Sequence, residues 1–167
     1  MLSFRNVLCP TDFSEPSYEA LRVAVEVALT FDAHLTIVHV VPTVPVLGAP
    51  VDGLGSLPLN VTAYVRDMTV QSEKLLAEIA HDRVPAEVQT RLVVASGDPA
   101  DEILQAADRE SADAIVIATH GWKGWRRFLF GSVAESVVRS ALCPVLTIRH
   151  PVFRKHTAEP RVETIEA

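Results

Sequence analysis

The stretch 113-DAIVIATHGWKGWRRFLFGSVAESVVRSALCPVLTIR-149 decides how the rest of this 167-residue chain is read. It opens on Ala114-Ile115-Val116-Ile117-Ala118, an apolar run too short for a helix and rich in β-branched residues. Such a run reads as a strand buried on both faces. A segment with Gly121 and Gly124 follows, then Gly131-Ser132 and apolar residues at Val133, Val137, Val138 and Ala141, a helical spacing. Pro144 stops that helix, and Val145 to Ile148 reads as a second short strand. Strand, glycine loop, helix N-terminus, helix, strand is the order of an anion site in a parallel sheet. The unpaired N–H groups of a helix's first turn and its positive dipole end favour phosphate.

Outward from this stretch the same alternation continues. Asn6 to Cys9 is predicted as the first strand, and Pro10-Thr11-Asp12-Phe13-Ser14 as a turn with Ser14 capping a helix that runs to about Thr30. That helix carries Leu21, Val25, Ala28 and Leu29 as its apolar side. Leu35 to Val41 is a second strand, Ala63 to His81 a helix, and Val88 to Ala95 a third strand. Asp98 caps a helix through about Ala107. Between Pro42 and Asn60 lie four of the chain's eleven prolines and three of its seven glycines, which reads as an inserted loop rather than a linker. Five strands alternating with four helices imply a single-domain, doubly wound α/β parallel sheet over residues 1–150, with 151–167 a polar tail.

Composition narrows the function. A net charge of −6 speaks against a nucleic-acid binder, which should be basic. Cys9 and Cys143 lack metal-ligand spacing and read as buried thiols in a reducing compartment. No segment has the roughly 18 apolar residues of a membrane span, and Met1-Leu2-Ser3-Phe4-Arg5 lacks a signal peptide's apolar core. The expectation is a cytoplasmic protein. Phosphate-loop, dinucleotide-fold, nucleophile-elbow and zinc-protease motifs are absent, so an enzyme is not expected.

Gly121, nine residues, then Gly131-Ser132, together with Val7-Leu8-Cys9-Pro10-Thr11-Asp12-Phe13-Ser14, resemble the universal stress protein family in its nucleotide-binding branch. The family pattern is Gly-x2-Gly-x9-Gly-Ser/Thr; here Ala118 replaces the first glycine. The resemblance covers about residues 3–149 and implies strand order 3-2-1-4-5, a Rossmann-like sheet of the adenine nucleotide alpha-hydrolase-like kind. It further implies an ATP site formed by Pro10, Thr11, Asp12, Val40, Ile117, Ala118, Gly121, Gly131, Ser132, Val133 and Ala134. Mg²⁺ or Mn²⁺ would be carried by the phosphates, and two chains would pair through strand 145–148.

Each of these residues also has a plainer reading. Ser132 with Glu135 three positions on is a capping box, Asp12 can close its turn, and Val40 can be core. His39 and His120 border the same edge and read as loop or core residues rather than catalysts. Lys123, Arg126 and Arg127 can neutralise phosphate or form a solvated basic face beside Trp122 and Trp125. The function that the resemblance implies is an ATP-binding regulatory module of the stress response. The alternatives are a nucleotide-free interaction module, which Ala118 favours, and a slow nucleotide hydrolase.

Overall fold

The structure is a computed structural model that describes residues 3–43, 61–119 and 131–149. In chain order it runs β1 (Asn6–Pro10), α1 (Glu15–Phe31), β2 (His34–Pro42), α2 (Val61–Arg83), β3 (Thr90–Gly97), α3 (Pro99–Arg109), β4 (Ala114–Ala118), α4 (Ser132–Ser140) and β5 (Val145–Ile148). The strands form one sheet in the order β3-β2-β1-β4-β5, and every neighbouring pair is parallel. That is the order the family resemblance implies.

Period-two alternation divides the core. Val7, Cys9, Leu35, Ile37 and Val116 point to one face, where Leu21, Val25, Leu76 and Ile79 of α1 and α2 cover them. Leu8, Val38, Val40, Ile115 and Ile117 point to the other, beneath Ile103, Ala106 and Val137 of α3 and α4. Each fully buried aliphatic side chain contributes about 1.5–3 kcal/mol of transfer free energy.

Capping fixes where the helices begin. Ser14 has extended backbone and accepts from the Ser17 N–H, starting α1 with Glu15 in its first turn. Asp98 accepts from the Ala100 and Asp101 amides at 2.9 and 3.2 Å and starts α3. The Asp113 carboxylate accepts from the backbone amides of Arg5 and Asn6 at 2.7 and 2.9 Å, tying the start of β1 to that of β4.

Several boundaries and faces differ from the sequence reading. Leu29 is 49% exposed: the buried stripe of α1 is Ala20, Leu21, Ala24, Val25 and Ala28, and Leu29 lies one residue round the helix from it. Val138 is likewise outside, with Ala134 and Val137 facing inward. Strand β3 starts at Thr90, because the Val88 N–H is held by the Pro85 carbonyl in a turn. Pro42 belongs to β2, opposite Gly97, where a strand's last residue tolerates a missing donor. The rest of the proline- and glycine-rich segment and the tail, like His120, Gly121, Trp122, Lys123, Gly124, Trp125, Arg126 and Arg127, lie outside the described residues.

Candidate functional site

The switch point of the sheet lies between β1 and β4. Pairing of β1 with β4 is recorded at Val7–Ala114 and Leu8–Ile115. On either side the ladders continue further, β1 with β2 to Pro10–Val38 and β4 with β5 to Ala118–Ile148. That ladder stops at Leu8–Ile115 because Pro10 has no N–H to donate to the next carbonyl of β4, while each strand stays bonded to its outer neighbour. Strand order reverses at the same place: β1 leads to α1 on one face, and β4 leads toward α4 on the other. Crevices at such reversals are where open α/β sheets take ligands. Pro10 and Thr11 border this one from one side, Ile117 and Ala118 from the other.

One wall is a turn rich in hydroxyl groups. Asp12 Oδ1 accepts from the Ser14 N–H at 3.1 Å and from the Ser14 hydroxyl. The Thr11 hydroxyl accepts from the Phe13 N–H at 3.1 Å and lies 3.0 Å from the Ser17 hydroxyl. Ser17 donates to the Ser14 carbonyl at 2.8 Å, so Thr11 donates to Ser17. Phe13 sits in the left-handed region at φ 62°, which costs a non-glycine residue about 1–2 kcal/mol. The bonds from Thr11 and Asp12, and the His39 ring packed on Phe13 at 4.3 Å between centroids, offset that cost. Asp12 itself is exposed at the rim.

His39 projects from β2 to this turn, and its Nδ1 lies 2.8 Å from the Thr11 carbonyl oxygen. A carbonyl can only accept, so Nδ1 carries the proton. Burial pushes the imidazole below its ordinary value of 6.5, opposed by the Thr11 carbonyl and by the charge of Asp12. The unfolded chain therefore binds this proton more readily than the folded one. The stabilising contribution is present above about pH 6.5 and is lost as pH falls from there toward the lower folded pKa. The difference in urea midpoint between wild type and His39→Asn should move against wild type from about pH 7.5 to about pH 5.5. A difference independent of pH would show that the folded state does not favour neutral His39.

The other wall is the start of α4. Gly131 donates to the Thr119 carbonyl at 2.6 Å, pinning the entry to α4 to the exit from β4. Gly131, not Ser132, is the N-cap, and no side chain caps this helix. The capping box of Ser132 and Glu135 is not formed, because Ser132 already lies in the first turn. The first-turn amides of Ser132, Val133 and Ala134 have no carbonyl within the helix to reach. Gly131 has φ −72° and ψ 154°, open to any residue, so its missing side chain matters here rather than its conformational freedom. Ala118 ends β4 in strand geometry paired with Ile148, a backbone that alanine adopts without strain.

Of the residues picked from the sequence, the structure gathers Pro10, Thr11, Asp12, Ile117 and Ala118 about the crevice, with Gly131 to Ala134 attached through Thr119. Val40 and Ile117 are 8% and 5% exposed within the α3–α4 core, so their side chains are mainly packing. Gly121 lies outside the described residues. Sequence reasoning set His39 aside and missed Ser17. The signal available was the run of hydroxyl and carboxyl groups Thr11, Asp12, Ser14 and Ser17 around one turn. Cys9 is buried with its thiol pushed up to about 12, whereas Cys143 is only half-buried, on the partly exposed approach to β5. Both are free thiols. Among the described residues no helix is long and apolar enough to cross a membrane.

Comparison with known proteins agrees with this architecture. Residues 3–149 match the family model of the universal stress protein family. A universal stress protein of Methanocaldococcus jannaschii is 33% identical over 148 residues, 89% of this chain and 84% of the relative. The solved structure of universal stress protein UspA from Lactobacillus plantarum superposes with a TM-score of 0.74 at 22% identity, over 89% of this chain and all of the other. A universal stress protein solved in complex with cAMP superposes with a TM-score of 0.64 at 23% identity, over 89% and 98% of the two chains. The match along nearly the whole described fold leaves one assignment: the chain belongs to the universal stress protein family.

Proposed function

We propose that this protein binds ATP in the crevice between β1 and β4 and acts as a regulatory module of the stress response, not as an enzyme. The observation that carries this reading is the reversal of strand order between β1 and β4, with the Asp12 turn on one side and the uncapped start of α4 attached to the other. The residues suit a nucleotide. Amides of Ser132, Val133 and Ala134 at a helix's positive end suit phosphate oxygens, and Asp12 suits the hydroxyls of a nucleoside. A like-folded family member is solved with an adenine nucleotide, cAMP. Mg²⁺ or Mn²⁺ would arrive with the triphosphate and be held by its oxygens. Phosphoryl transfer needs several groups around the phosphates, and Asp12 alone does not supply them.

Calorimetry with Mg·ATP tests the reading. Saturable binding is expected, along with a change in tryptophan emission, since Trp122 and Trp125 are the only tryptophans and both lie between Gly121 and Gly131. AMP should give a smaller change, and added salt should weaken both. No heat and no emission change at millimolar ATP would favour the nucleotide-free interaction module instead.

The proposal includes a homodimer through β5. This strand is a sheet edge, Leu146 is 45% exposed and Leu142 just before it fully so. Apolar edges in water invite pairing with another chain. Sedimentation at micromolar concentration should show a dimer, weakened by Thr147→Pro, which removes an N–H that faces away from β4 to the open edge. A wild-type monomer would exclude this arrangement.

A further inference from the structure

We propose that His39 is a positioning residue of the nucleotide site, holding the Thr11–Phe13 turn in the form that presents Asp12 to the crevice. The inference rests on the proposed nucleotide site, but its geometry is that of the protein alone. Two contacts from one ring bracket Asp12 in sequence. The Nδ1–H is bonded to the carbonyl of Thr11, the residue before, at 2.8 Å. The ring face packs on the side chain of Phe13, the residue after, at 4.3 Å and an interplanar angle of 34°. Phe13 is one of only three non-glycine residues with positive φ among those described, so the turn needs outside support to stay as it is.

The support comes from a rigid element. His39 lies within β2, whose residues on either side, Val38 and Val40, are buried in the α3–α4 core. It also pairs in register with Val94 of β3. The β1 side is fixed to the same strand, because the Thr11 N–H donates to the Val38 carbonyl at 2.9 Å. Thr11 is thereby gripped at both of its backbone polar groups by consecutive residues of β2. Asp12 follows directly, with Oδ1 turned inward to Ser14. Releasing the Thr11 carbonyl and the Phe13 ring frees the peptide that sets the direction of the Asp12 side chain.

The arrangement also fixes a tautomer. Donation from Nδ1 to a carbonyl leaves Nε2 as the unprotonated nitrogen in the neutral ring. Protonation adds a proton at Nε2 and keeps the Thr11 bond, so the hold on the turn persists in both states.

The test uses the full chain, with Mg·ATP as probe. Nitrogen-15 shifts of the wild-type ring without nucleotide should show protonated Nδ1 and bare Nε2 at about pH 7.5, above the histidine range; the opposite tautomer overturns the proposal. His39→Leu keeps the bulk and loses the donor. It should weaken ATP binding by about tenfold, the order expected for one lost hydrogen bond to a positioned group. His39→Asn places an amide N–H near the position of Nδ1 and should bring affinity back to within about threefold of wild type. A purely structural role would lower the melting temperature of both variants and leave ATP affinity unchanged, and that result overturns the inference. If His39→Leu does not fold, His39→Gln, whose amide lies one bond too far out to reach Thr11, takes its place with the same expectation. If wild type itself binds no ATP, the proposed function fails while this inference is still decided. Amide exchange of Phe13 and Ser14 should then be faster in His39→Leu than in His39→Asn, and equal rates overturn it.

Discussion

Ser132→Glu should cost most of the ATP affinity while leaving the fold as stable as before or slightly more so. Ser132 is the first residue of α4, exposed, and its side chain caps nothing. A carboxylate there interacts favourably with the helix dipole and adds about 0.3–1 kcal/mol to folding. The same charge lies beside the amides proposed to hold the phosphates. Two unit charges about 5 Å apart at an effective dielectric near 20 repel by about 3 kcal/mol, which screening at the rim reduces to about 2. Affinity should fall by about thirtyfold, recovering in part as salt rises. The opposite signs make the result easy to read: a variant that melts no lower than wild type but binds ATP unchanged would remove α4 from the phosphate site. Ser132→Ala should change little, because the amides and not the hydroxyl carry the interaction.

Gly131→Val asks a related question. Gly131 has φ −72°, so valine brings no backbone strain, and any loss of binding comes from its bulk at the entrance to α4. Binding lost in both variants would place the phosphates at the helix start. Binding lost in Gly131→Val alone would place them nearer Thr119.

The sheet was legible in the sequence because buried parallel strands announce themselves. Ala114 to Ala118 and Leu35 to Val41 are unbroken apolar runs, and Ser14, Asp98 and Pro144 punctuate the helices between them. Strand order was not legible from pattern at all. Pairing between β1 and β4 joins residues more than 100 positions apart, and only the family resemblance supplied it. Faces of helices were read less well than their existence. Leu29 and Val138 are apolar and nearly in phase with the buried stripes, yet each lies one residue round its helix from them, just after the buried Ala28 and Val137. The candidate site divides the same way. Asp12, Ala118 and Gly131 stand at element ends that punctuation reveals. The grip of His39 on Thr11 depends on two strands lying side by side, and nothing local to either one shows it.

Leu8→Ala should give the largest loss of stability among single truncations near the site and still leave ATP affinity intact. Leu8 is 0% exposed on the middle strand of the sheet and packs in the core beneath α3 and α4. Truncation loses the transfer energy of three carbons and leaves a cavity that two flanking strands prevent from closing, at a cost of about 3 kcal/mol. The urea midpoint should fall with an unchanged slope, and the melting temperature should drop by about 6–12 °C. Val70→Ala, at a 44% exposed valine on α2 away from the β5 edge, should stay within about 0.5 kcal/mol of wild type. Affinity survives in Leu8→Ala because the residues beyond it are held elsewhere: Pro10 pairs with Val38, and Thr11 is bonded to Val38 and His39. Leu8→Ala and Ser132→Glu then separate by linkage. ATP at 100 times its dissociation constant adds about 2.7 kcal/mol to a protein that binds only when folded. Leu8→Ala should gain that full increment from a low baseline, whereas Ser132→Glu at the same ATP concentration should gain about 1 kcal/mol from a normal one. If instead the ATP-dependent rise in melting temperature disappears in Leu8→Ala, the crevice depends on the packing below it, and the assignment of its rigidity to β2 is wrong.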